Sequence, residues 1–270
     1  MPGRLEFDLG FGRAGRPRDE SEPMRLLVFG DFSGTPAGER PPLASRPTAR
    51  VDIDTLDVVI KRLSPRLRMP TGEIRVAQLD DFHPDHLYTR LDVFQALREA
   101  RANPPADTGD LLGRLLGKPT GSAAAPGTPP TGGLDALIHN IVAPHIVKDA
   151  SDQSKTYLKA VDAAIAEEMR KLLHAPAFQL REAAWRGVQW LISSLELDEN
   201  LQLHVFDVTR EELFADIVGA QGKLAQTGVY RALVDRWRNV PGSHGWSVLV
   251  ALFDFGPSNS DMRQLVRTFV

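Results

Sequence analysis

The run RLLVFGDF, Arg25 to Phe32, decides how this chain is read. It is short, apolar and closed by Gly30, the pattern of a buried strand. Downstream of it, Asp54 is placed to cap a helix in which Leu56, Val59, Ile60 and Leu63 recur on one face, and Pro65 ends that helix. Glu73 to Leu79 alternates as a second strand. Pro84 opens a further helix with Leu87, Leu91, Phe94 and Leu97 on its apolar side. The first hundred residues therefore read as a mixed α/β unit.

A second unit begins at Leu134. LDALIHNIV is amphipathic, with Leu134, Leu137, Ile138 and Ile141 on one side, and Pro144 ends it. Lys155 to His174 is a longer helix striped by Leu158, Val161, Ile165, Met169 and Leu172. Phe178 to Leu195 follows, striped by Leu180, Ala184, Trp185, Val188, Leu191, Ile192 and Leu195. Trp185 falls on the stripe as core; Trp190 falls off it and suits an interface anchor. The period then changes to two. Leu201, Leu203 and Val205 alternate with Gln202 and His204, which predicts a strand with one wet face. Thr209 and Glu212 form a capping box. Val229 to Trp237 is helical, and WSVLVALFDF, Trp246 to Phe255, reads as a buried strand.

The two units are separated by a shift in composition. The chain holds 22 Gly and 20 Pro, and many of them fall between Asn103 and Gly133. That stretch is poor in aromatic and β-branched residues and reads as a linker. The expected division is a first domain over 1–102, a linker over 103–133 and a second domain over 134–270. Gly34 to Pro47 reads as an exposed loop.

Composition removes several classes of function. With 270 residues and no cysteine there is no disulfide scaffold, thiol nucleophile or thiolate metal site. A net charge of −3 lacks the basic excess of a nucleic-acid binder. No apolar run is long enough to span a membrane, and the first residues lack a secretory h-region, so a cytoplasmic protein is expected.

Candidate chemistry is sparse. Asp80, Asp81, His83, Asp85 and His86 supply imidazole and carboxylate groups that suit a transition metal. Pro84 fixes the backbone between the two histidines, so they are not a helical i, i+4 pair, and the cluster reads better as a capped helix start. Gly30-Asp31-Phe32-Ser33-Gly34 lacks the spacing of a nucleophile elbow. His174 sits where a helix C-terminus favours a cation. No catalytic, cofactor-binding or metal residue is assigned, and the pattern favours a structural or interaction protein over an enzyme.

The motifs carry a resemblance. LLVFGDFSG (Leu26–Gly34), VDIDTLDVVIKRLSPRL (Val51–Leu67) and LDDFHPDHLY (Leu79–Tyr88) resemble the small sheath subunit of the type VI secretion system, TssB. AIAEEMRKLLHAPAFQLREAAWRGVQWLI (Ala164–Ile192) and LQLHVFDVTREEL (Leu201–Leu213) resemble the N-terminal region of the large subunit, TssC. The order suggests a fusion of the two. The resemblance implies a sheath-subunit-like α/β fold and a structural role in a contractile cytoplasmic sheath around the Hcp tube. It implies other sheath subunits, Hcp, a baseplate and the AAA+ ATPase ClpV as partners.

In that family a helix near the start of the large subunit is the ClpV handle. Leu134, Leu137, Ile138 and Ile141 occupy a similar position and either face the ATPase or pack on the following helix. The family's large subunit continues well past the position of Val270. The second unit is therefore expected to be incomplete, in a truncated product or a shortened sheath-like protein completed by another chain. A sheath-associated adaptor that does not polymerise is the alternative, with a metal-dependent hydrolase behind it.

Overall fold

The computed structural model describes residues 22–69, 72–104, 141–142, 153–221, 223–236 and 245–253. The chain forms two compact units: one of the residues up to Leu63 with those from Ala184 onward, the other of Ser64–Ala183. Each draws on both halves of the sequence.

The first unit is built on a four-stranded sheet. Its strands are β1 (Met24–Gly30), β2 (Ala49–Val51), β5 (Leu201–Asp207) and β6 (Val248–Ala251), in the order β2-β5-β1-β6. β1 lies parallel to β5 over its whole length, Met24 opposite Leu201 through Gly30 opposite Asp207. On its other edge it lies parallel to β6, with Leu26 opposite Val248. β2 runs antiparallel to β5. The strand from the first half is thus inserted between two strands from the second half.

Burial follows from that position. Leu27, Phe29 and Phe206 on one face join Val208, Leu213, Ile217, Ala232 and Leu233 in a core cluster. That cluster includes helix α6 (Arg210–Gly219) and the helical segment that starts at Gly228–Tyr230 and widens into a π turn at Arg231–Asp235. Val28, Leu203, Val205 and Val51 on the other face are equally buried. Parallel strands covered on both faces read as continuous apolar runs. RLLVFG is one, and the expectation for it holds.

β5 differs from its expectation. The predicted wet face does not exist, because Leu203 to Asp207 are all buried, His204 included. Alternation of polar residues suggests an exposed face, but β5 sits in the sheet interior with β2 and β1 on its edges. The opposite correction applies to β6, expected to be buried. Among the described residues it is an edge strand, with Val248 38% and Leu249 45% exposed, and Leu252 just beyond it 39% exposed. Beside it, Phe29, Leu213, Ile217, Tyr230, Trp246 and Leu249 help line an apolar cavity of about 150 Å³. An apolar edge strand invites pairing with other chains. Val248→Lys with Leu252→Lys should reduce self-association in light scattering while changing unfolding free energy by only about 0.5 kcal/mol. Unchanged scattering would count against β6 as the sticky edge.

Helix α1 (Leu56–Leu63) buries Leu56, Val59 and Ile60, as its periodicity requires. Its entry is held by Asp52, not Asp54. The Asp52 carboxylate accepts from the N–H groups of Asp54 and Thr55 and from the Thr55 hydroxyl at 2.7 Å. The hydrogen bond from Thr55 leads in holding the Asp52 carboxyl below its ordinary range. After Leu63 the chain leaves through Ser64 at φ 48°, a left-handed helix exit.

The second unit opens with a hairpin, β3 (Arg66–Met69) and β4 (Gly72–Arg75), whose buried side is the pair Leu67 and Ile74. β3 is absent from the sequence-based expectation: in RLRM the two arginines hide the alternation. The single helix expected from Pro84 is two, α2 (Pro84–Arg90) and α3 (Asp92–Ala102), because Leu91 takes an extended conformation. Helix α4 (Gln153–Leu173) follows, and then α5 (Pro176–Ser194), which belongs to this unit up to Ala183 and to the first from Ala184. Phe82 meets Phe178 edge-on at 5.7 Å, and Arg101 pairs with Asp162 at 2.6 Å, so early and late segments also meet in this unit. The α5 stripe is Phe178, Arg181, Ala184, Trp185, Val188 and Ile192. Leu180, expected on it, is exposed, because the spacing from Phe178 runs through Arg181.

Candidate functional site

The sheet brings together groups from both halves of the sequence. The Gly34–Pro47 stretch, expected as an exposed loop, carries two buried arginines, Arg40 and Arg46. Prolines at 36, 41 and 42 flank two short 3-10 turns, which hold the stretch against the sheet end. Arg40 pairs with Asp31 and donates to Glu212 at 3.0 Å. Arg46 donates to both Glu212 oxygens, at 3.2 and 2.9 Å, and to the backbone carbonyl of Asp207 at 2.7 Å.

Glu212 is held from several sides. Its carboxylate also accepts the Thr209 N–H at 2.9 Å, closing the capping box the sequence predicts at the start of α6. Burial pushes its pKa up, but the hydrogen bonds from Arg46 and Thr209 and the charge of Arg40 outweigh that and leave it lowered. The Asp207 carboxylate accepts the N–H groups of Phe32 and Ser33 at 2.8 and 2.9 Å. Trp185 closes the same region: its indole N–H donates to the Phe32 carbonyl at 3.1 Å. Sequence reasoning finds the capping box and Trp185. It misses Arg40, Arg46 and Asp207, whose one signal is two arginines in an otherwise proline-rich loop.

Midway along β5, His204 is buried against Trp246, ring centroids 5.1 Å apart, with Arg25 4.2 Å from that indole. Gln202 Oε1 lies 3.3 Å from its Nε2, and Nδ1 is buried without a hydrogen-bond partner. Burial, then the charges of Arg25 and Arg50, push its pKa down to about 4 from 6.5. The unfolded chain therefore takes up a proton between those values that the fold refuses. Stability should fall as pH drops from about 6.5 to about 4, by on the order of 3 kcal/mol. His204→Gln should flatten that segment of a urea-denaturation pH profile; an unchanged slope would refute the assignment.

The acidic and histidine cluster behaves as a helix start. The His83 side chain accepts the Asp85 N–H as N-cap of α2. Asp81 is buried, accepts the Ala77 and Gln78 N–H groups at 2.7 and 3.2 Å, and pairs with Arg90. Among the described residues no three His, Asp or Glu side chains gather as a metal ligand set. Asp31 and Ser33 are engaged in their own turn, accepting from Gly34 and Thr35 N–H groups. His174 follows the last residue of α4 and keeps a helical hydrogen bond to Arg170. Trp190 is 66% exposed, as its phase on α5 requires. Of the handle residues, Leu134, Leu137 and Ile138 lie outside the described residues, as does the linker beyond Pro104; Ile141 is half-buried. Among the described residues no helix is long and apolar enough to cross a membrane.

Two family models match, one to each half. Residues 4–119 match the type VI secretion system VipA model, and residues 155–268 match the EvpB-type tail sheath N-terminal domain, VipB. The chain carries a TssB-like segment followed by a TssC-like segment of the type VI secretion sheath proteins. Over 121 residues it is 26% identical to the type VI secretion system sheath protein TssC1 of Pseudomonas aeruginosa, covering 44% of this chain and 24% of that protein. Over 109 residues it is 28% identical to the sheath protein TssB1 of the same organism, covering 36% of this chain and 62% of that protein. The fused sheath chain thus spans about a quarter of one curated relative and about three fifths of the other. No solved structure matches it. In the sheath chain β1 and the arginine loop come from the TssB-like segment, while β5, β6 and α6 come from the TssC-like segment.

Proposed function

We propose that this protein is a structural component of a contractile type VI sheath on the cytoplasmic side of the membrane. It assembles with other sheath subunits around the Hcp tube, docks on a baseplate and drives the tube outward on contraction. The observation that carries this reading is the insertion of β1 between β5 and β6, which makes one sheet from both sheath-like segments. A protein that works by switching between packed arrangements needs such interfaces and no catalytic groups. Residues 1–102 are the small-subunit part, 103–133 the linker and 134–270 the large-subunit part; the linker fixes their ratio at one to one and raises their effective concentration. Co-expression with Hcp and a complementary sheath chain should give tubes by electron microscopy. Persistent monomers under all those conditions would overturn the reading.

Leu134, Leu137, Ile138 and Ile141 are the handle for a ClpV-type ATPase in the same reading. Their spacing presents one apolar face, as helix-in-groove ligands do. Leu137→Asp with Ile141→Asp should abolish ClpV binding in a pull-down and leave the far-UV spectrum unchanged. Retained binding would remove the handle from the proposal.

A further inference from the structure

β1 is apolar at Leu26, Leu27, Val28 and Phe29 and hydrogen-bonds along both edges. Such a strand has affinity for many strand edges, and its register is weakly marked, since both faces carry apolar side chains. The loop that follows it is far more selective. The side chains of Arg40 and Arg46 are only 2% and 6% exposed. Their acceptors across the junction are the Glu212 carboxylate and the Asp207 carbonyl, both in the TssC-like segment. The Asp207 carboxylate in turn holds the Phe32 and Ser33 N–H groups, which ties the end of β1 to the end of β5. A two-residue slip of β1 would displace it by about 7 Å along β5. The apolar contacts would largely re-form, but Arg40 would keep only Asp31 and the Thr35 carbonyl and Arg46 only the Pro41 carbonyl. Glu212 would be left as a buried carboxylate without its arginines, which is penalised far more than a mismatched methyl.

We infer that Arg40 and Arg46, received by Glu212 and Asp207, are specificity determinants that match a TssB-like segment to its own TssC-like segment. The sheet supplies affinity, and the buried charges supply choice of partner and register. This rests on the family assignment of the two segments and is independent of whether the protein polymerises.

The test uses the full chain with a protease site inserted between Gly121 and Ser122, folded and then nicked. Nicked wild type is mixed with a nicked variant carrying Arg40→Met, Arg46→Met and Glu212→Leu. The mixture is unfolded in urea, refolded and counted by native mass spectrometry. Matched pairs should outnumber hybrids at least tenfold, because each hybrid buries unpaired charge. A statistical mixture overturns the inference, and so does failure of nicked wild type to re-form a one-to-one pair. Should the apolar variant not refold, nicked Glu212→Gln takes its place. The wild-type 1–121 segment should then prefer the Glu212-bearing partner several-fold, and equal incorporation overturns the inference. No arm reads tube formation, so failure here and failure of the sheath reading are separate results.

Discussion

Trp185→Ala is expected to lower the unfolding free energy by about 3–5 kcal/mol, a large part of a typical domain's stability. Trp185 is fully buried, and its ring lies 5.0 Å from that of Phe32 at 56°. Two losses combine. The cavity left by an indole cannot be refilled in a close-packed interior. The Phe32 carbonyl also loses the indole N–H it receives. Trp185→Phe separates the two: it keeps most of the apolar volume and forfeits the hydrogen bond, for about 1–2 kcal/mol. Trp190→Ala serves as the control, since that ring is exposed and its loss should stay within about 0.5 kcal/mol. Urea denaturation measures all three. Equal losses for Trp185→Ala and Trp190→Ala would mean that Trp185 does not hold the end of β1 in place.

The contrast between those two tryptophans is legible in the sequence, because a helix of 19 residues fixes phase well. The central strand is legible too, since a short uninterrupted apolar run closed by glycine suits a strand covered on both faces. What the sequence hides is anything decided by long-range neighbours. Nothing local to LQLHVFD says that β1 and β2 will cover its edges, so its alternation makes His204 look wet. Nothing local to VLVA says that one of its edges stays unpaired among the described residues, so β6 looks buried. The capping box of Thr209 and Glu212 is local and can be read directly. Its second role is set 166 residues away in sequence by Arg46 and cannot be. The resemblance to two sheath subunits is readable from motifs in order, yet motif order does not tell that β1 pairs with β5 and β6.

Glu212→Ala is the substitution expected to show that second role. It removes the carboxylate that Arg40 and Arg46 share, together with half of the capping box. Breaking a buried charge pair from one side costs about 3–5 kcal/mol, and loss of a helix cap about 1 kcal/mol. Part of that penalty is relieved if the loop swings out and hydrates its arginines, in which case limited proteolysis should cut within 34–47. Glu212→Gln keeps an acceptor for the Thr209 N–H and should lose less. Replacing Arg40 and Arg46 by methionine and Glu212 by leucine together should cost far less than Glu212→Ala alone. An apolar set of similar volume removes three buried charges; Asp31 and Asp207 lose Arg40, but the Asp207 carboxylate keeps its two backbone donors. Chemical denaturation of the three variants gives the order. If the triple substitution proves as damaging as Glu212→Ala, the arginines stabilise the fold by packing rather than by charge, and the partner-selecting role falls with that result.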